Sequence, residues 1–203
     1  MTQNADVLSE QKQTELLAQE LLDQQITVLA LTDGRQSSAE LLVRSLEEQG
    51  RRCSWIWFSD HPDSNRCGTG TAFLCLDRDI RNVDRFALNK GQPIRKQAGH
   101  MALGIQIDGA DDWFYCLSQD SAENIQEHWK LLNCCIVGKR LCSTVWLLGM
   151  QRYREEIGTS NWTEAADGEI WCSRKREIRT CLTDPDEKSH HYPKGASIIE
   201  VKE

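Results

Sequence analysis

Residues 25–60 constrain the fold most tightly, because their hydrophobic period changes twice within one short stretch. Residues 26–32 form a near-continuous apolar run, the pattern of a strand buried on both faces. Thr32-Asp33-Gly34-Arg35 follows as turn chemistry, and Ser37 stands three residues before Glu40, the spacing of a capping box. Ala39, Leu42, Val43 and Leu46 then recur at i, i+3, i+4 and i+7, which is one apolar face of a helix. Gly50 supplies a stop, and residues 53–58 resume as a strand. A dinucleotide-binding turn needs three spaced glycines at this point, and only Gly34 is present.

A second strand–helix alternation lies at 121–148. Ala122, Ile125, Trp129, Leu132 and Ile136 repeat with helical spacing up to Gly138, after Asp120 and Glu123 at cap spacing, and residues 143–148 are apolar and β-branched. Between the two alternations, 61–70 reads as loop and 72–76 as a short strand. Residues 77–100 are charged and aperiodic. Residues 102–107 and 113–117 flank Asp108-Gly109-Ala110-Asp111 as a hairpin. The expected fold class is therefore α/β, with a mainly parallel sheet flanked by helices. That sheet holds strands 26–32, 53–58 and 143–148, and helices 38–49 and 122–136 pack on it. Residues 1–24 read as a tail and lead-in helix, 25–150 as the α/β core, and 151–203 as a C-terminal extension packing on that core. In the extension Ile170, Trp171, Ile178, Leu182, Ile198 and Ile199 form islands too sparse for a separate core.

Charge and cysteine usage narrow the partners. The net charge of −7 disfavours a general electrostatic binder, so neither nucleic acid nor a membrane surface is expected as a partner. No apolar run approaches bilayer length, and residues 1–20 carry no apolar signal-type segment, which points to a cytoplasmic protein. Nine cysteines without a C-x-x-C pair, including the adjacent Cys134 and Cys135, read as free thiols of a reducing compartment.

Each chemical constellation has a plain competitor. Short-chain reductases need a lysine four residues after the reactive tyrosine, but Tyr115, Tyr153 and Tyr192 are followed there by Gln119, Ile157 and Ala196. Zinc sites place two ligands on one turn, whereas Cys172, Cys181, His190, His191 and His128 lack such spacing, so no metal site is expected. Cys67 near His61 and His100 reads as a loop thiol. Arg174-Lys175-Arg176 and Arg179 lie between Glu169 and Glu177, as on a solvated face. Trp55, Trp57, Trp129 and Trp146 fall at buried-face positions. Any cleft of an open α/β sheet lies at the carboxyl ends of its strands, where Asp33, Asp60 and His61 are the candidate residues.

Leu29-Ala30-Leu31-Thr32-Asp33-Gly34 leading to Leu41-Leu42-Val43-Arg44-Ser45-Leu46 is one recognisable block. Trp113-Phe114-Tyr115-Cys116-Leu117, Ser121-Ala122-Glu123-Asn124, Trp129-Lys130-Leu131-Leu132 and Thr144-Val145-Trp146-Leu147-Leu148 form another. In this order they resemble the structural, non-catalytic subdomain of polyketide synthase ketoreductases, a truncated Rossmann-like unit of the short-chain dehydrogenase superfamily. The resemblance implies a scaffolding or protein-interaction module with a protein partner or synthase subunit, no catalytic residue and no cofactor. Two alternatives stand beside it. One is a small hydrolase or transferase using the cleft at the strand carboxyl ends. The other is a lipid- or protein-binding module that resembles pleckstrin-homology domains over residues 113–132, with Trp129 in the helix.

Overall fold

The computed structural model describes residues 5–34, 36–58, 70–87, 101–117, 125–150, 153–166, 170–174, 178–182 and 197–201. The first half runs through α1 (Ala5–Asp23), β1 (Val28–Gly34), α2 (Gln36–Glu48), β2 (Cys53–Phe58), β3 (Gly70–Leu76), β4 (Ile80–Ala87) and β5 (Met101–Ile107). Then follow β6 (Trp113–Leu117), α3 (Ile125–Cys142), β7 (Val145–Leu148) and the short α4 (Arg154–Gly158). Strands β8 (Thr163–Ala166), β9 (Ile170–Cys172), β10 (Ile178–Leu182) and β11 (Ser197–Val201) complete it.

These strands form two sheets stacked face to face. One has the order β10-β11-β1-β3-β2 and the other β4-β5-β6-β7-β9-β8. Alternation along each strand produces three apolar layers. Val28, Ala30, Phe73 and Cys75 of the first sheet meet Leu103, Ile105, Phe114, Cys116, Trp146 and Leu148 of the second. On the outer face of the first sheet, Leu29, Leu31, Ala72 and Leu74 pack under Ala18 and Leu21 of α1 and Ala39, Leu42, Val43 and Leu46 of α2. Trp113, Tyr115, Leu117, Val145 and Leu147 pack under Trp129, Leu132 and Ile136 of α3 on the other outer face. The architecture is a four-layer sandwich: helices, sheet, sheet, helices.

The α/β class stands, and the mainly parallel Rossmann-like sheet does not. Among the described pairings only β6–β7 is parallel, with Trp113 opposite Val145. Strand β3 lies between β1 and β2 and is antiparallel to both. The chain thus leaves a one-strand gap in the β1–α2–β2 unit, and β3 fills it from the other direction. The run at β7 belongs to the opposite sheet. Continuous apolar runs arise here because a sheet covered by helices on one face and a second sheet on the other is buried twice, whatever its strand direction. The pleckstrin-like barrel is also not formed, since the strands make two open sheets.

Local structure follows the sequence closely in places. Gly50, at φ +83, ends α2 by donating to the Glu47 carbonyl while Arg51 donates to that of Leu46. Helix α2 begins at Gln36, ahead of the expected Ser37 cap, and α3 runs through Gly138 to Cys142. Asp120 and Glu123 lie outside the described residues. β5 and β6 form the expected hairpin, turning at Gly109 with φ +77. No helix among the described residues is long and apolar enough to cross a membrane.

Candidate active site

One edge of the sandwich collects the carboxyl ends of β1, β2, β4, β6 and β7. Two contacts fix the relative direction of the sheets. The backbone N–H of Ile80, where β4 starts, donates to Ser54 Oγ near the start of β2 at 3.2 Å. The guanidinium of Arg85 near the end of β4 lies 5.4 Å from the ring centroid of Phe58, which ends β2. β2 and β4 therefore run the same way, one in each sheet. Registry carries the direction inward: Gly34 pairs with Gly70 in the first sheet, and Ala102 with Leu117 and Cys116 with Leu148 in the second. Asp60, His61, His100, His190 and His191 lie outside the described residues.

The ladder is irregular at one place on this edge. Leu31 pairs with Ala72 and Gly34 with Gly70, so Thr32 and Asp33 together oppose the single residue Thr71. Such a bulge bends its strand and redirects a side chain, and bulges concentrate beside active sites. Asp33, the first of the predicted cleft residues, thus lies in a bulge at the carboxyl end of β1. Asp60 and His61 lie outside the described residues, two and three positions beyond the end of β2.

Thr71 is paired on its other side with Phe58. Both sit on the face of their sheet that meets the second sheet, as the placing of Phe73 and Ile56 in the middle layer requires. The Thr71 side chain is only 2% exposed, and its hydroxyl has no hydrogen-bond partner. Across the sheet the indole of Trp57 covers Gly70, where an added Cβ would lie 2.2 Å from a ring carbon. The Trp57 indole N–H is likewise buried and unpartnered. Two orphan polar groups beside one bulge are unusual, because nearly all buried polar groups are satisfied.

The other sequence candidates are placed elsewhere. His128 is buried on α3, under the outer face of the second sheet. Tyr115 donates to Asp84 Oδ2 at 2.7 Å and belongs to the same outer layer. Its burial, followed by that hydrogen bond, pushes the phenol well above its ordinary pKa, so it is held protonated. Cys53, Cys75, Cys116, Cys134, Cys135, Cys142 and Cys172 are free thiols. Burial raises Cys75 to about 12 and Cys53 to about 11, which makes both poor nucleophiles. Among the described residues no group of three or more His, Cys, Asp or Glu could hold a metal ion. The sequence did not single out Thr71 or Arg85, which the fold brings to this edge. Thr71 needed the register of β3 against the bulge, and Arg85 falls in the aperiodic charged stretch.

A sandwich of two mostly antiparallel sheets between helices is a fold shared with several solved structures of low sequence identity. An endonuclease/exonuclease/phosphatase family protein from Leptotrichia buccalis superposes with TM-score 0.69 at 12% identity, over 99% of this chain and 96% of its own. A mannosyl-6-phosphatase from Bacteroides thetaiotaomicron gives 0.65 at 10% identity, over 98% and 94%. A humanized TDP2 from D. rerio gives 0.60 at 12% identity, over 97% and 93%. No family model and no curated protein matches the sequence.

Several expectations are corrected by this fold. The ketoreductase-subdomain resemblance fails, because the strand order and direction are those of the endonuclease/exonuclease/phosphatase fold. The scaffolding role and the synthase-subunit partner rested on that resemblance and fall with it. The exclusion of nucleic acid also falls. A net negative charge argues against non-specific adhesion to nucleic acid, but it does not prevent a local site from taking a phosphodiester, and proteins named endonuclease/exonuclease/phosphatase share the fold.

Proposed function

We propose that this protein is a hydrolase of phosphoester bonds, working at the edge where β1, β2, β4, β6 and β7 end. The observation that supports the reading is the bulge at Thr32–Asp33, at the carboxyl end of β1. Phosphoester hydrolysis needs a positioned water, a group to take its proton, and donors for the non-bridging oxygens. Asp33 is assigned the first two tasks, orienting and deprotonating the attacking water. Asp60 and His61 follow the end of β2 and are assigned proton delivery to the leaving oxygen. The free thiols fit a cytoplasmic setting.

The test is hydrolysis of a phosphomonoester and a phosphodiester by the full chain, with and without added divalent cation. Asp33→Asn keeps the size of the side chain and removes its basicity. It should lower kcat/KM by about 100-fold or more, the range of a lost general base. Turnover indifferent to this change, in a variant with unaltered circular dichroism, would overturn the assignment. No turnover on either substrate class would remove the hydrolase reading itself.

A further inference from the structure

We infer that Arg85 and Thr71, each a neighbour of Phe58, form a phosphate-binding corner at this edge. The inference takes its choice of anion from the hydrolase reading, but it stands on a separate set of contacts. Thr71 and Phe58 are directly opposed on neighbouring strands, so their side chains share one face about 5 Å apart at Cβ. Arg85 comes from the other sheet and lies over the same ring. The three residues bridge the two sheets where their edge strands β2 and β4 meet.

Each member has capacity left over. Arg85 is exposed, and among the described residues no ion pair uses it. Stacking occupies the face of a guanidinium and leaves its N–H groups in the ring plane to donate to an oxyanion. The Thr71 hydroxyl is buried and unpartnered, a state that costs free energy unless another group completes it. Thr71 also faces the bulge that carries Asp33. The aromatic floor excludes water from one side and strengthens both donor contacts.

The experiment is calorimetric titration of the full chain with inorganic phosphate and with phenyl phosphate, on wild type, Arg85→Gln, Arg85→Lys and Thr71→Val. Wild type should bind both saturably, with affinity falling as salt is raised. Arg85→Gln and Thr71→Val should each weaken binding about tenfold or more, as expected for lost hydrogen bonds to a charged ligand, with partial recovery in Arg85→Lys. Thr71→Val is nearly isosteric, so the melting temperature of the ligand-free variant should be unchanged or higher. A clear drop would mean that the hydroxyl has an internal partner, which would overturn its part in the corner. Binding unaffected by the Arg85 variants, or absent in wild type, would overturn the whole. Because the readout is binding, the corner can hold in a protein that does not turn over, and hydrolysis can persist in a protein whose phosphate binding ignores Arg85.

Discussion

Asp77 combines backbone conformation and charge in one residue. It sits at φ +56 in the turn from β3 to β4, a region that Asn and Asp tolerate better than other side chains. Its carboxylate accepts from Arg51 Nε at 2.7 Å and from the Arg52 backbone N–H at 3.1 Å. The Arg51 hydrogen bond, more than any other influence, holds the Asp77 pKa below the ordinary carboxylate value. A depressed folded-state pKa contributes stability above the unfolded value, about 3.9, and that contribution is lost as the pH falls through the folded value. Asp77→Asn should therefore be less stable than wild type at neutral pH and converge with it in acid, as read by urea denaturation at both. Asp77→Ala should cost about 1 kcal/mol more than Asp77→Asn at neutral pH, because alanine has no side chain to support the left-handed turn. Equal losses would mean that conformation is not part of the role. Gly104 makes a purely steric contrast. An added Cβ would come within 2.1 Å of the Tyr115 ring, which is itself stacked between Phe86 and Trp113. Gly104→Ala should cost about 1–3 kcal/mol in the same assay, since the ring has nowhere to go.

Helix α3 is fastened to the second sheet by a polar clasp within its apolar contact. Asp84 on β4 accepts from the Tyr115 hydroxyl and pairs with Lys139 Nζ at 3.1 Å, while that ammonium lies 3.7 Å from the Trp113 ring centroid. Three elements, β4, β6 and α3, thus meet at one carboxylate. Tyr115→Phe should lose about 1 kcal/mol, and in a double-mutant cycle with Lys139→Met the double variant should lose less than the sum of the two single losses. Additive losses in urea denaturation would show that the two contacts act independently. This clasp also marks the boundary of what the residues disclosed. The lysine that approaches Tyr115 is not four residues on, where Gln119 stands, but arrives from another element. Helical periods were readable at α2 and α3 because each has one face against a core. Strand direction was not, since β1, β3 and β7 are buried on both faces and an apolar run records burial alone. Asp33 could be picked out as turn chemistry ending an apolar run. The bulge around it depends on pairing with Thr71, and a single sequence does not display register.

At the scale of the whole molecule, the last part of the chain is woven into both sheets. β11 pairs with β1, placing Ile199 against Val28 and Ile198 against Leu29. β9 pairs with β7, placing Trp171 against Leu147. Ile170 and Cys172 enter the layer between the sheets, and Trp162 and Trp171 enter the layer under α3. Trp162 meets Trp129 edge to face at 5.9 Å, and Arg140 on α3 stacks on its ring at 4.5 Å while donating to the Asn161 carbonyl at 2.9 Å. Deleting residues 158–203 would therefore turn β1 and β7, both interior strands of their sheets, into edges. Their unpaired N–H and C=O groups, flanked by fully buried apolar side chains, are a template for pairing with other chains. The 1–157 fragment should consequently aggregate on size-exclusion chromatography and bind an apolar dye strongly, and any monomeric fraction should melt well below the full chain. A control deletion of residues 1–11, which leaves Ala18 and Leu21 of α1 in place, should remain monomeric and lose far less. If instead the 1–157 fragment eluted as a monomer with an unchanged melting temperature, the pairings of β9 and β11 would carry no stability and the final segment would be an appendage.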